Sequence, residues 1–194
     1  MVAPAPKRAT YDDILNAPDN VVAEIVDGEL HLSPRPATGH AHTATVLTEE
    51  IGPPFRRGRG GPGGWHFLFE PELHFGTDVL VPDIAGWRTT RMPTMISQPF
   101  FTLAPDWVCE VVSPRTSRLD RNKKMPIYAR EQVGHAWLID PVERVLEVHR
   151  LENGRWSMLA NYFDGDSVRA EPFDAIELDL SVLWAAPDPD ARPI

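Results

Sequence analysis

Val81-Pro82-Asp83-Ile84 and Trp107-Val108-Cys109-Glu110-Val111-Val112 each set one carboxylate in a short apolar run that reads as a buried strand. An ionised carboxylate is costly to keep in a core unless it is paired or binds a metal. Two of them, on strands that can lie side by side, offer hard oxygen ligands for Mg²⁺ or Mn²⁺. An ion held there bridges a phosphate oxygen and a water, lowers the pKa of that water and stabilises the charge of phosphodiester cleavage. A lysine beside the carboxylates would orient the water or neutralise the transition state. Asp120-Arg121-Asn122-Lys123-Lys124 follows ten residues after Glu110 and opens a helix that can bring one. Metal-dependent hydrolysis is the chemistry these residue types can do.

The chain bounds that reading. At 194 residues and 42% hydrophobic it is long enough for one good core and short for two domains. We expect a single domain over 10–184, with a flexible N-terminus at 1–9 and a flexible tail at 185–194. No apolar run reaches the roughly 20 residues that cross a bilayer. Lys7 and Arg8 are not followed by a signal-peptide apolar segment, so a cytoplasmic protein is expected. The single cysteine, Cys109, reads as an inert core thiol. A net charge of −9 argues against strong non-specific DNA binding. Local basic patches remain, with Arg56, Arg57 and Arg59 in one loop and Arg115, Arg118, Arg121, Lys123 and Lys124 in another.

The elements that must position the carboxylates follow from local pattern. Thr10 caps a short helix whose Asp12 and Asp13 suit its positive end. Asp27-Gly28 joins two strand-like runs, 21–26 and 29–32, as a hairpin. Residues 40–51 are helical in pattern, and 52–64, rich in glycine, proline and arginine, read as a mobile loop. Runs 65–69, 72–75 and 79–87 read as strands of one antiparallel meander. The strand at 107–112 is central to the sheet, and a helix runs from 121 to about 131 although Pro126 limits its first turn. A buried strand at 135–140 and a hairpin around Asn153-Gly154 follow, then short strands and a closing helical turn. The fold class is α/β (α+β), a mixed sheet flanked by helices around one core.

Taken together, a set of motifs resembles the Uma-type restriction endonuclease family of the PD-(D/E)XK nuclease superfamily. They are Glu24-Ile25-Val26-Asp27-Gly28-Glu29-Leu30, Ser33-Pro34 with His40, Val81-Pro82-Asp83, Glu110-Val111-Val112-Ser113-Pro114-Arg115-Thr116, Asp120-Arg121 with Lys124, and Tyr128-Ala129 with Gly134 to Pro141. The resemblance spans 11–184. It implies a restriction-endonuclease-like core, a central mixed β-sheet flanked by helices, with Mg²⁺ at the sheet's edge and Mn²⁺ as substitute. It implies metal ligation by Asp83 and Glu110, an assisting acid in Glu24, and a catalytic lysine in Lys124. Nucleic acid, DNA in the first instance, is the implied substrate, and a homodimer the implied assembly. One departure stands out: the superfamily lysine two residues after the acid is Val112 here, so the lysine has moved to the helix.

Each residue also has a plainer reading. Asp83 could cap a turn or pair with Arg88, Glu110 could pair with Arg121, and Glu24 could be an exposed hairpin glutamate. Tyr128 reads as packing, His40 as a helix-terminus residue at the site's periphery, and Ser113 to Thr116 as a strand end whose arginine could touch a phosphate. The tryptophans read as core, with no stacking platform. The rival to a nuclease is a degenerate nuclease-fold protein acting as a binding or structural module. In a further reading the arginines of 52–64 engage a phosphate-rich partner.

Overall fold

The computed structural model describes residues 8–95 and 97–185. The flexible ends expected at 1–9 and 185–194 therefore lie, but for Arg8, Ala9 and Ala185, outside the described residues. Thr10 starts α1 (Tyr11–Leu15), its N–H bonded to Asp13 Oδ2 at 2.7 Å. β1 (Val21–Val26) and β2 (Glu29–Pro34) form the expected hairpin. Asp27 and Gly28 both take left-handed φ, 55° and 81°, as such a two-residue turn requires. α2 (Thr38–Ile51) buries Thr43, Ala44, Leu47 and Ile51, one face of the helix.

Four strands follow: β3 (Trp65–Phe69), β4 (Leu73–Phe75), β5 (Asp78–Leu80) and β6 (Ile84–Arg88). They do not form one meander, and 79–87 is not one strand. Pro82 has no N–H for a ladder, so the chain breaks at Val81-Pro82-Asp83 and changes sheet there. β4 and β5 join the hairpin in a four-stranded sheet of order β2-β1-β5-β4. β3 and β6 join β7 (Trp107–Val111), β8 (His135–Asp140), β9 (Val145–Glu152) and β10 (Arg155–Phe163) in a six-stranded sheet of order β10-β9-β8-β7-β6-β3. Only β7 and β8 pair in parallel within it, and a parallel pair needs a crossover.

That crossover is helical from Ser117 to Arg130: α3 (Ser117–Leu119), a wider π-type turn over Asp120–Lys124, and α4 (Met125–Arg130). It starts four residues earlier than the sequence pattern suggests. Pro126 is accommodated because the wider turn before it does not call on its missing N–H. The chain closes with β11 (Ser167–Val168), β12 (Leu178–Asp179) and a 3₁₀ turn at Leu180–Leu183.

The core lies on both faces of the six-stranded sheet. On one, α2 and the C-terminal segment cover Trp65, Phe67, Trp107 and Trp137, with Phe173 at ring distances of 4.9–5.6 Å from those four. On the other, α4 and the four-stranded sheet cover Val108, Val112 and Leu138. The segment 52–64 is anchored rather than mobile. Pro54 and Phe55 are buried, Phe55 meets Phe173 at 4.8 Å, and Gly63 N–H bonds Pro54 O at 2.8 Å.

Arg121 ties the crossover to β9, its guanidinium reaching both oxygens of Glu147 at 2.6 and 2.7 Å. His149 and Arg121 together hold the Glu147 carboxyl down at about 2. A carboxyl lowered in the fold stabilises it above its ordinary value, and that contribution fades as pH falls through about 2. Glu147→Gln should therefore cost about 1 kcal/mol at neutral pH, a figure already reduced for solvent screening. Urea denaturation should show the gap between variant and wild type closing as the pH approaches about 2.

Candidate active site

Asp83 stands not inside a strand but in the break between β5 and β6. Its Oδ2 accepts the Val111 N–H at 2.7 Å, and its Oδ1 lies 2.7 Å from His40 Nε2 on the first turns of α2. The pairing with Arg88 does not occur, since that guanidinium lies over the Trp65 ring at 4.5 Å. Glu110, on β7, points to the crossover's side of the sheet together with Val108 and Val112. Its rival partner Arg121 is committed to Glu147. Glu24 is no exposed hairpin residue: it is buried in β1, and its Oε1 accepts the Val81 N–H at 2.7 Å.

The Lys124 ammonium joins these strands. Its Nζ lies 2.9 Å from Glu110 Oε1, 3.0 Å from Glu24 Oε1 and 3.2 Å from the Val81 carbonyl, with Asp120 Oδ1 at 3.7 Å. Its side chain is 3% exposed. Lys123, the other lysine in the motif, turns to the surface and pairs with Asp27 at 3.1 Å. Tyr128, one helical turn beyond Lys124, donates its hydroxyl to Glu110 Oε1 at 2.6 Å.

Burial pushes the Glu110 carboxyl well above the usual carboxylate range, with Lys124 opposing and Asp120, Asp83 and Glu24 adding to the rise. Asp120 is raised by burial against the pull of Lys124. Burial works against the Lys124 ammonium, yet Glu110 and Glu24 outweigh it and hold Lys124 well above the usual lysine range. Tyr128 is raised by burial and then by Glu110. The Cys109 thiol is likewise raised by burial, with Asp83 and Glu110 adding.

Glu24, Asp83, Glu110, Asp120 and Lys124 line one cavity of about 660 Å³, with His40, Arg35 and Arg115 also on its walls. All four residues singled out in the sequence thus come together. Two further participants, Asp120 and Tyr128, stand four residues before and after Lys124, the spacing that puts side chains on one helix face. That spacing was a usable signal for both.

Among the described residues no three His, Cys, Asp or Glu side chains are gathered as a ready cage for a metal. The donor set nonetheless fits a hard divalent cation. Its acids are all carboxylates, three of them face one ammonium, and a carboxylate has a second oxygen beyond the one that Lys124 takes.

The arrangement makes Lys124 a structural as well as a chemical centre. Lys124→Met should cost about 3–5 kcal/mol near neutral pH, because it leaves buried carboxylates uncompensated. With carboxyls raised in the fold, the native state holds more protons than the unfolded one, so stability falls as pH rises. Denaturation at pH about 5 and about 8 should therefore show the smaller loss at the lower value.

A model of the family described as "Putative restriction endonuclease", Uma2, matches residues 8–182. No curated protein matches the chain. Among solved structures, a crystal structure described as a "putative nuclease belonging to DUF820", from Anabaena variabilis, superposes with a TM-score of 0.72 at 23% identity. The match covers 91% of this chain and 97% of that one, and it shows a shared fold. No described helix is long and apolar enough to cross a membrane. With the family model spanning nearly the whole chain, the protein belongs to the Uma2 family.

Proposed function

We propose that the chain is a metal-dependent endonuclease that hydrolyses phosphodiester bonds, with DNA as the substrate and Mg²⁺ as the cation. The observation that carries this reading is the excess of acid in the cavity: five carboxylates, those of Glu24, Glu70, Asp83, Glu110 and Asp120, stand against Lys124, Arg35 and Arg115, an excess that a divalent cation would balance. Asp83 and Glu110 would hold the ion, with Glu24 beside them. When bound, it would supply an activated water and stabilise charge on the phosphate.

The chain's own residues define the remaining roles. His40 and the Val111 N–H fix both oxygens of Asp83, so this carboxylate meets its ligand in one orientation. Tyr128 does the same for Glu110. The Lys124 ammonium donates to the Val81 carbonyl and is held in ion pairs with Glu110 and Glu24. An ammonium so committed has no lone pair with which to take a proton. Its part in the reaction would be to neutralise charge that develops on the phosphate. Severing both strands of a duplex would take two copies of the chain, a homodimer, and the reading places it in the cytoplasm.

One observation favours the rival reading of a degenerate nuclease fold. Lys124 closes on Glu24 and Glu110, an arrangement that could serve stability alone. Calorimetry with Mn²⁺ and a plasmid-nicking assay on the same samples separate the two. The wild type should bind Mn²⁺ and nick, Asp83→Ala and Glu110→Ala should lose both, and Lys124→Ala should lower kcat by about 10²–10³. Binding without nicking would support the degenerate fold, and no binding by the wild type would remove the metal hypothesis.

A further inference from the structure

Trp65, Phe67 and Phe69 alternate along β3 and share one face of the six-stranded sheet. The first two are buried beneath the cover of that face, at 2% and 7% exposure, while Phe69 is 51% exposed. Cover runs out at the end of the strand nearest the carboxylates. Phe69 pairs with Ile84, the residue after Asp83, and the Glu70 N–H bonds the Asp83 carbonyl at 3.1 Å.

Beside Phe69 lies a side cavity of about 140 Å³, walled by the first turns of α2. Pro36, His40, Glu70 and Asp83 line both this cavity and the larger one that holds the acids. The half-exposed Phe69 side chain thus shares this side cavity with His40 and Asp83 of the candidate site. Of the basic residues at 115–124, Arg115 and Lys124 line the larger cavity, while Arg118, Arg121 and Lys123 do not. Arg35 pairs with Glu70 at 2.9 Å, and Arg115 forms no ion pair with another described residue. The arginines at 56, 57 and 59 lie past the far end of α2, a helix about 21 Å long.

We infer that Phe69 is a stacking platform for an unpaired base next to the scissile phosphate, and that the substrate strand is single-stranded at the site. This rests on the nucleic-acid reading above and narrows it. Duplex binding draws on many phosphate contacts, and this acidic chain offers few beside its cavity. A single strand instead gains from aromatic stacking, which is available only to a base whose face is free of its neighbours. The side cavity beside Phe69 supplies that place.

The test is fluorescence anisotropy of a labelled DNA 12-mer, its RNA counterpart and the matching DNA duplex, in Ca²⁺ buffer. Wild type should bind the single strands at least about ten-fold tighter than the duplex, and Phe69→Leu, which keeps the bulk but not the π-face, should lose about ten-fold on single strands. Phe69→Trp should restore the affinity. DNA and RNA arms of equal strength would assign the site to either strand chemistry, and both support the inference. Equal binding of duplex and single strand, unchanged binding by Phe69→Leu, or no binding at all would overturn it. The readout is binding alone. A chain that binds in this way without nicking therefore fails as an endonuclease while the platform stands, and a chain that nicks with Phe69→Leu binding unchanged loses the platform only.

Discussion

A lysine ammonium withdrawn from water loses several kcal/mol of hydration, which only close, well-placed acceptors can offset. In this chain those acceptors come from different places. Glu24 is on β1 of the small sheet, Glu110 on β7 of the large one, the Val81 carbonyl on the link between the sheets, and Asp120 on the helical crossover. Four segments distant in sequence therefore meet around one nitrogen atom. The break at Val81-Pro82-Asp83 is part of the same constraint, since Val81 gives its N–H to Glu24 and its carbonyl to Lys124. The candidate site and the junction of the two sheets are one arrangement.

The lysine reaches this point from a helix because the sheet has no room for it. Val112, two residues after Glu110, is 1% exposed and packs among Val108, Met125 and Leu138. A lysine there would displace part of the core beneath the crossover. The helical route instead stacks Asp120, Lys124 and Tyr128 at four-residue intervals. The first acid attracts the ammonium, and the phenol holds the carboxylate that the ammonium faces. The wider turn over Asp120–Lys124 lets this face begin directly ahead of Pro126, a residue that would break an ordinary helix interior.

The sequence made the strand acids visible because a charge inside an apolar run contradicts its surroundings, and Glu110 between Cys109 and Val111 is the clearest example. It made the hairpin at Asp27-Gly28 visible because few residues accept two successive left-handed conformations. It did not show that 79–87 changes sheet, since alternation is the same on either side of the break and only tertiary pairing decides which strands join. Pro82 was the one local sign. Tyr128 reads as packing from sequence because its apolar body is indeed buried, and the hydroxyl's partner lies on another element. Phe69 carried no signal at all. It is the third aromatic in a core-facing row, and its exposure follows from where α2 begins, a matter of tertiary placement.

The charge of the molecule and the uncovered ring fit one physical account. An acidic cavity repels a phosphate, and a chain of net charge −9 adds to that repulsion over longer range. A divalent cation among the carboxylates would offset that charge locally but would not supply the distributed attraction by which basic proteins hold a duplex. Affinity must then come from a term that does not depend on charge. Stacking on Phe69 is such a term, and it lies beside Asp83, where a base would hold its own phosphate against the acids. The position of the ring thus favours a strand whose bases are free before it arrives.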